Sequence, residues 1–265
     1  MRKLVLIVSL LLVFSATPAM AITDGKLDGH GHPQVGLMVA FDDKGDPMWR
    51  CSGTMISPRV YLTAGHCTYG ADSVQIWFDA DVPSGIPGNG YGGSWIGDVG
   101  GTPYAHPEYD DDGAWWLADV GVVVLDSNGP GPYATLPAKN ALDKYAKKPR
   151  KKKTRFEAVG YGLQKAFPLA AAWKDVAERV RMVSYPRLLQ INVRGATGPR
   201  TMILSNNRVT GGTCFGDSGG PNFLKGTLTV AGVTSFGKNG TCAGQGGVLR
   251  MDRAVIRDWV LSYLP

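Results

Sequence analysis

The sequence has no apolar run long enough to cross a bilayer. Its longest at the N-terminus, Leu4–Phe14, has 11 residues, against the roughly 20 that a spanning helix needs. It has no internal repeat with a period of about 20–50 residues, which excludes solenoids and propellers. Its 36 glycines and 17 prolines follow no period, which excludes a collagen-like chain. It has four cysteines and no C-x-x-C pair, so a zinc module is a poor fit. Charged residues make up 19% of the chain and the formal net charge is +6, a mild excess that does not point to nucleic acid. A chain that is 44% hydrophobic is not disordered either.

What is present begins with a leader. Arg2 and Lys3 precede the apolar run, and Ala19-Met20-Ala21 supplies small residues at the positions a signal peptidase reads. Residues 1–21 are therefore expected to be a signal peptide, with the mature chain at 22–265 and a net charge nearer +4. Export implies an oxidising compartment, secreted or periplasmic, and no membrane partner after cleavage. Four cysteines then mean two disulfides in one of three pairings. Each of the pairs Cys51–Cys67 and Cys214–Cys242 brackets one strand–turn unit, which favours those two bonds.

A length of 265 residues allows one large domain or two of about 120 residues. Short Val-, Ile-, Tyr- and Thr-rich segments recur between turn signals: 35–41, 54–63, 74–78, 120–125, 156–160, 180–183, 188–193, 201–204, 228–235 and 248–251. Their number and length predict an all-β barrel or sandwich. Residues 79–102, dense in Gly and Pro, read as a long loop. Only the C-terminus has a strong helical period, in Val255, Ile256, Trp259, Val260, Tyr263 and Leu264, with Asp252 as an N-cap candidate. A turn or two of helix is a weaker expectation for 170–180. The basic run 147–155 reads as a solvated linker between two halves.

The segment that carries chemistry is Gly216-Asp217-Ser218-Gly219-Gly220-Pro221. Glycines around a serine permit a tight turn with backbone N–H groups exposed beside it. A serine is a poor nucleophile until a base takes its proton. His66, in Thr63-Ala64-Gly65-His66-Cys67, is the base candidate, since imidazole titrates near neutral pH. Asp119 opens the apolar run 120–125 and would be drawn inward, as a carboxylate that orients a histidine must be. The order His, Asp, Ser excludes the α/β-hydrolase esterases, which run Ser, acid, His on a parallel sheet. His30 and His32 with Asp28 lack a third strong metal ligand. His106 is expected at the surface, and Asp110-Asp111-Asp112 reads as a solvated acidic turn.

With these blocks in place the chain resembles the trypsin/chymotrypsin-like serine peptidases, from Ile22 to the C-terminal helix. Residues 51–57 and 62–67 resemble the family's histidine block, 213–221 its serine block, and Thr234-Ser235-Phe236-Gly237 its substrate-binding strand. The resemblance implies two packed six-stranded antiparallel β-barrels and a C-terminal helix. It places the N-terminal barrel at about 22–135, the linker at 136–154 and the C-terminal barrel with the helix at 155–265. It also implies peptide-bond hydrolysis through an acyl-enzyme by His66, Asp119 and Ser218, with the N–H groups of Gly216 and Ser218 as oxyanion hole. Both disulfide pairings are those of the family. A new N-terminal ammonium at Ile22 would pair with Asp217. Gly212 would floor the pocket, with Thr213, Ser235, Phe236, Gly237 and Gly247 around it. An uncharged pocket implies cleavage after large apolar residues. Partners would be polypeptide substrates and protein inhibitors of such peptidases, acting on a monomer that needs neither cofactor nor metal. A silent binding protein on the same scaffold is the competing reading. Departures from the pattern are Phe236 in place of Trp, Ala118 in place of Asn, and the absence of a third disulfide beside the pocket.

Overall fold

The computed structural model describes residues 22–82, 94–146, 154–164, 178–193 and 198–265. Residues 1–21, expected to be a signal peptide, nearly all of the basic run 147–155, and most of the weak helix expected over 170–180 lie outside the described residues.

The first half winds into a closed barrel. Its strands are β2 (Val35–Phe41), β3 (Pro47–Ser57), β4 (Val60–Thr63), β5 (Ser73–Trp77), β6 (Val99–Ala105) and β7 (Gly121–Leu125). They pair antiparallel in the order β2-β3-β4-β7-β6-β5, and β5 closes on β2. β2 is buried along its whole length, which its unbroken Val-Gly-Leu-Met-Val-Ala-Phe run permits. The expected segment 54–63 is in fact two strands, folded at Pro58-Arg59, where proline favours the turn. The loop expected over 79–102 is shorter than that, because β6 begins at Val99. Gly100, Gly101 and Pro103 hid this strand. A Cβ on Gly101 would come within 2.6 Å of Val123 Cγ1, so close strand packing accounts for a residue that reads as a turn signal.

The second half forms an eight-stranded sheet in the order β1-β9-β8-β12-β13-β14-β11-β10. Its members are β1 (Lys26–Leu27), β8 (Phe156–Gly160), β9 (Met182–Ser184), β10 (Leu188–Val193), β11 (Gly198–Asn206), β12 (Pro221–Leu224), β13 (Val230–Gly237) and β14 (Gly244–Arg250). Sequence patterning misses β1 and β12. β1 comes from the N-terminal segment yet pairs with β9, so the chain start is stitched to the second sheet. One apolar core runs through both halves, from Val35 and Leu62 to Val233, Leu249 and Ile256.

Two buried arginines tie the halves and the linker together. Arg181, 2% exposed, donates to Asp28 Oδ2 at 3.0 Å, and to the carbonyls of Gly29 and Phe78 at 2.7 and 2.8 Å. Asp28 also holds His32 Nδ1 at 2.6 Å. The Asp28 carboxylate is therefore saturated by an ion-pair network. Arg250, fully buried, grips Asp252 with two hydrogen bonds of 2.9 and 2.7 Å. Asp252 in turn accepts the N–H of Leu142, on the linker's 3-10 turn, at 2.9 Å.

This overturns the N-cap expectation. The C-terminal helix, Ala254–Leu261, is capped at Arg253 without a side-chain cap, because the Asp252 carboxylate is spent on Arg250 and the linker. Ile256 and Val260 face the core. His106 is also not a surface residue: it is 4% exposed and packs on Trp259, with ring centroids 4.9 Å apart. Its Nδ1 accepts the Glu108 N–H, and Val255 O lies 3.3 Å from its Nε2. A histidine before a proline reads as loop, and the sequence does not reveal that the C-terminal helix covers it. No described helix is long and apolar enough to cross a membrane.

Candidate active site

His66 lies on α1 (Gly65–Thr68), the single helical turn that follows β4. Its backbone N–H donates to Asp119 Oδ1 at 2.9 Å, and its Nδ1 lies 3.0 Å from both Asp119 oxygens. Asp119 is fully buried just before β7, and Ser235 Oγ on β13 donates to its Oδ2 at 2.5 Å. Three donors thus fix one carboxylate. They hold the proton of His66 on Nδ1 and leave Nε2 free to accept another. Burial pulls the His66 pKa down, but the charge and hydrogen bonding of Asp119, with a smaller part from Asp111, outweigh it and leave it above 6.5.

Ser218 sits on the turn between Cys214 and Pro221. Gly216 has φ +92° and Gly219 φ +79°, values that a side chain resists. A Cβ on Gly219 would also strike Thr63 Oγ1 at 2.0 Å. The turn is clamped from the first barrel by Ser52. Its N–H donates to Ser218 O at 2.7 Å, its Oγ donates to Gly216 O at 2.9 Å, and that Oγ accepts the Tyr161 N–H at 3.0 Å. Among the described residues, the N–H groups of Gly216 and Ser218 have no protein acceptor. Ser52 lies inside the recognisable histidine block, yet nothing in the sequence marks it as the clamp.

His66 and Ser218 line one cavity of about 380 Å³. Of the pocket residues expected, Thr213, Ser235, Phe236 and Gly237 are on its wall. Gly212 and Gly247 are not. Gly212 lies against Asn206, whose Cγ would be 2.3 Å from a Cβ there. Gly247 lies under the Phe236 ring, within 2.1 Å of where its Cβ would be. Sequence reasoning did not find Trp115, Phe215, Tyr109 and Asp111, which also face the cavity. Trp115 meets Phe236 edge-on at 5.6 Å, and Tyr109 O–H donates to Asp111 Oδ1 at 2.7 Å. Asp110, Asp111 and Asp112 are exposed, as a solvated acidic turn should be, and Asp111 also faces the cavity.

Asp217 is fully buried and accepts the N–H groups of Gly162 and Cys214 at 2.8 Å each. Among the described residues it forms no ion pair, and burial raises its pKa to about 7, against these hydrogen bonds and the charge of Arg50. Ile22 is buried with Met182 and Val180. Thr23 next to it pairs with Gly212, and its hydroxyl donates to Asn206 Oδ1 at 2.7 Å. Disulfides join Cys51 to Cys67 and Cys214 to Cys242, as the bracketing suggested. Cys51, His66 and Cys67 lie close together, but both sulfurs are consumed by the first disulfide.

The family model described as Trypsin matches residues 28–260. The chain belongs to the trypsin family. A trypsin from Saccharopolyspora erythraea is 27% identical over 210 residues, covering 75% of this chain and 80% of that protein. A chymotrypsin from Phaedon cochleariae is 31% identical over 117 residues, 42% of this chain and 37% of that one. The solved structure of HL collagenase superposes with a TM-score of 0.65 at 19% identity, covering 91% of this chain and 97% of that one. As a member of the trypsin family the chain is a serine-protease hydrolase, on the fold of a closed barrel, a curved second sheet and a C-terminal helix.

Proposed function

We propose that this protein is an exported serine endopeptidase in which Ser218, His66 and Asp119 form an acyl-transfer triad. The observation that carries the reading is the buried Asp119 carboxylate on His66 Nδ1, with Ser218 on the same cavity. Ser218 Oγ attacks the scissile carbonyl as its proton passes to His66 Nε2. The oxyanion that forms takes hydrogen bonds from the N–H groups of Gly216 and Ser218. His66 then returns the proton to the leaving amine, and water, deprotonated by His66 in turn, releases the acyl group. The Ser52 clamp keeps both N–H groups aimed before substrate arrives.

The preference proposed is for a large apolar residue before the scissile bond. Trp115, Phe215 and Phe236 wall the cavity with aromatic surface, and its carboxylate, Asp111, lies beside Tyr109 and His66. Export and maturation are one event in this reading. Signal peptidase cuts after Ala21, and the new Ile22 ammonium neutralises Asp217. The protein would act as a monomer on polypeptides, with protein inhibitors as further partners.

Labelling with a fluorophosphonate or sulfonyl fluoride, followed by peptide mapping, tests the nucleophile. Modification confined to Ser218 is expected, and a protein that stays unlabelled overturns the reading. A fluorogenic panel varying only the residue before the bond tests the preference. Phe and Leu should exceed Arg and Lys in kcat/KM.

A further inference from the structure

A second hollow, of about 290 Å³, lies apart from the cavity that holds His66 and Ser218. Trp49, Arg50, Trp95 and Arg179 line it, with Met48 and Val39. Its chemistry is unusual, since two guanidinium groups face one indole-walled space. The Arg50 guanidinium makes no hydrogen bond and no ion pair among the described residues. A guanidinium carries five N–H donors in a plane, a shape matched by a carboxylate. Burial lowers the Arg50 pKa, and the neighbouring charge of Arg179 lowers it further, while Asp217 opposes. The Arg50 end of the hollow is thus a partly desolvated site of positive charge.

Its position relates it to the reaction. Arg50 Nε is 3.6 Å from where a Cβ on Gly216 would lie, so it adjoins the oxyanion turn. Trp49 Nε1 donates at 3.0 Å to the carbonyl of Cys67, the residue after His66. In the proposed reaction His66 delivers a proton to the departing amine, so the hollow, joined to Cys67 through Trp49, lies on the His66 side of the bond. Trp49 and Arg50 immediately precede Cys51.

We propose that this hollow is an anion-reading subsite that takes an Asp or Glu side chain of the polypeptide substrate on the leaving-group side of the scissile bond, with Arg50 as its principal donor. The proposal rests on the peptidase reading for the direction of the substrate. It predicts selection by charge after the bond, independent of the apolar selection before it.

The test uses the Ser218→Ala protein, so that binding is read without turnover. Fluorescent peptides with Phe before the bond and either Glu or Gln in the two positions after it are compared by anisotropy. The Glu peptide is expected to bind about tenfold more tightly, the size of one charge-assisted hydrogen bond. That preference should fall to about one in Arg50→Gln, recover in part in Arg50→Lys, and shrink as salt rises. Arg179→Gln, a second reporter, should weaken it. Equal binding of the two peptides by Ser218→Ala, or a preference that survives Arg50→Gln, overturns the proposal. Quenched versions of the same peptides with the wild-type protein separate the two readings. Binding that prefers Glu with no cleavage at all would sink the peptidase reading, and with it the leaving-group side assigned here, and leave only an anion site at Arg50.

Discussion

In the proposed reaction His66 must be uncharged to take the proton of Ser218, so its pKa sets the acid limb of activity. Burial lowers that pKa, and Asp119 with help from Asp111 raises it past the ordinary 6.5. In a profile of kcat/KM against pH, activity should therefore fall on acidification with a midpoint above 6.5. Asp111→Asn should move the midpoint down, because it removes a carboxylate that favours the imidazolium. A midpoint that stays put in Asp111→Asn would show that Asp111 does not act on His66. The proposed triad predicts larger losses. Ser218→Ala should lower kcat by on the order of 10⁶, since the three groups act as a unit. Asp119→Asn should cost about 10⁴, by leaving the imidazole in the wrong tautomer. Active-site titration and rates on purified variants check both, with circular dichroism to confirm that each has folded.

At the scale of elements, the Arg250–Asp252 pair offers the sharpest test. Both side chains are fully buried, and Asp252 also holds the linker through Leu142 N–H. Arg250→Met strands a buried carboxylate and should destabilise by about 3–5 kcal/mol in urea unfolding. Adding Asp252→Leu should restore part of that loss, because no uncompensated charge is then left. Additive losses in the double variant would mean that the two do not act as a pair. This pair also shows the limit of sequence reading. Asp252 stands where an N-cap belongs, and only the tertiary neighbour Arg250 diverts it. The strands at 35–41, 156–160 and 188–193 were legible to the residue because apolar periodicity is a local signal. β6 was not, since its glycines are demanded by strands that lie elsewhere in the chain. The histidine, aspartate and serine segments stood out because catalytic groups need particular neighbours in sequence. The cavity walls did not. Trp115, Phe215 and Asp111 reach the site by folding, whereas Gly212, expected at its floor, lies against Asn206, and Gly247, expected on its wall, lies under Phe236.

At the scale of the whole molecule, the proposed removal of residues 1–21 would couple the new N-terminus at Ile22 to the turn that carries Ser218 through Asp217. In the chain with residues 1–21 still attached, Ile22 is peptide-bonded and carries no charge. Asp217 is then a buried carboxyl, raised by desolvation from an ordinary 3.8 to about 7. The folded chain binds its proton more tightly than the unfolded chain does. The sign follows: this group's stabilising contribution is full below about 3.8 and is lost as pH rises through about 7. A shift of about three units corresponds to a loss on the order of 4 kcal/mol. A cleaved chain beginning at Ile22 differs, because its ammonium, with an ordinary pKa near ~8, can pair with the ionised carboxylate. Urea unfolding between pH 4 and pH 8 should therefore show a leader-bearing chain losing stability with pH, more steeply than its own Asp217→Asn variant. The chain starting at Ile22 should show no such extra loss against Asp217→Asn, and at pH 7 removal of the partner should cost it about 3–5 kcal/mol. Adding one residue before Ile22 should return the precursor's pH slope and depress activity, because it moves the ammonium without touching the triad. If the leader-bearing chain and its Asp217→Asn variant lose stability with the same slope, Asp217 does not carry the raised pKa. If N-terminal sequencing of active protein finds a start other than Ile22, the ion pair is not the device that couples export to activity.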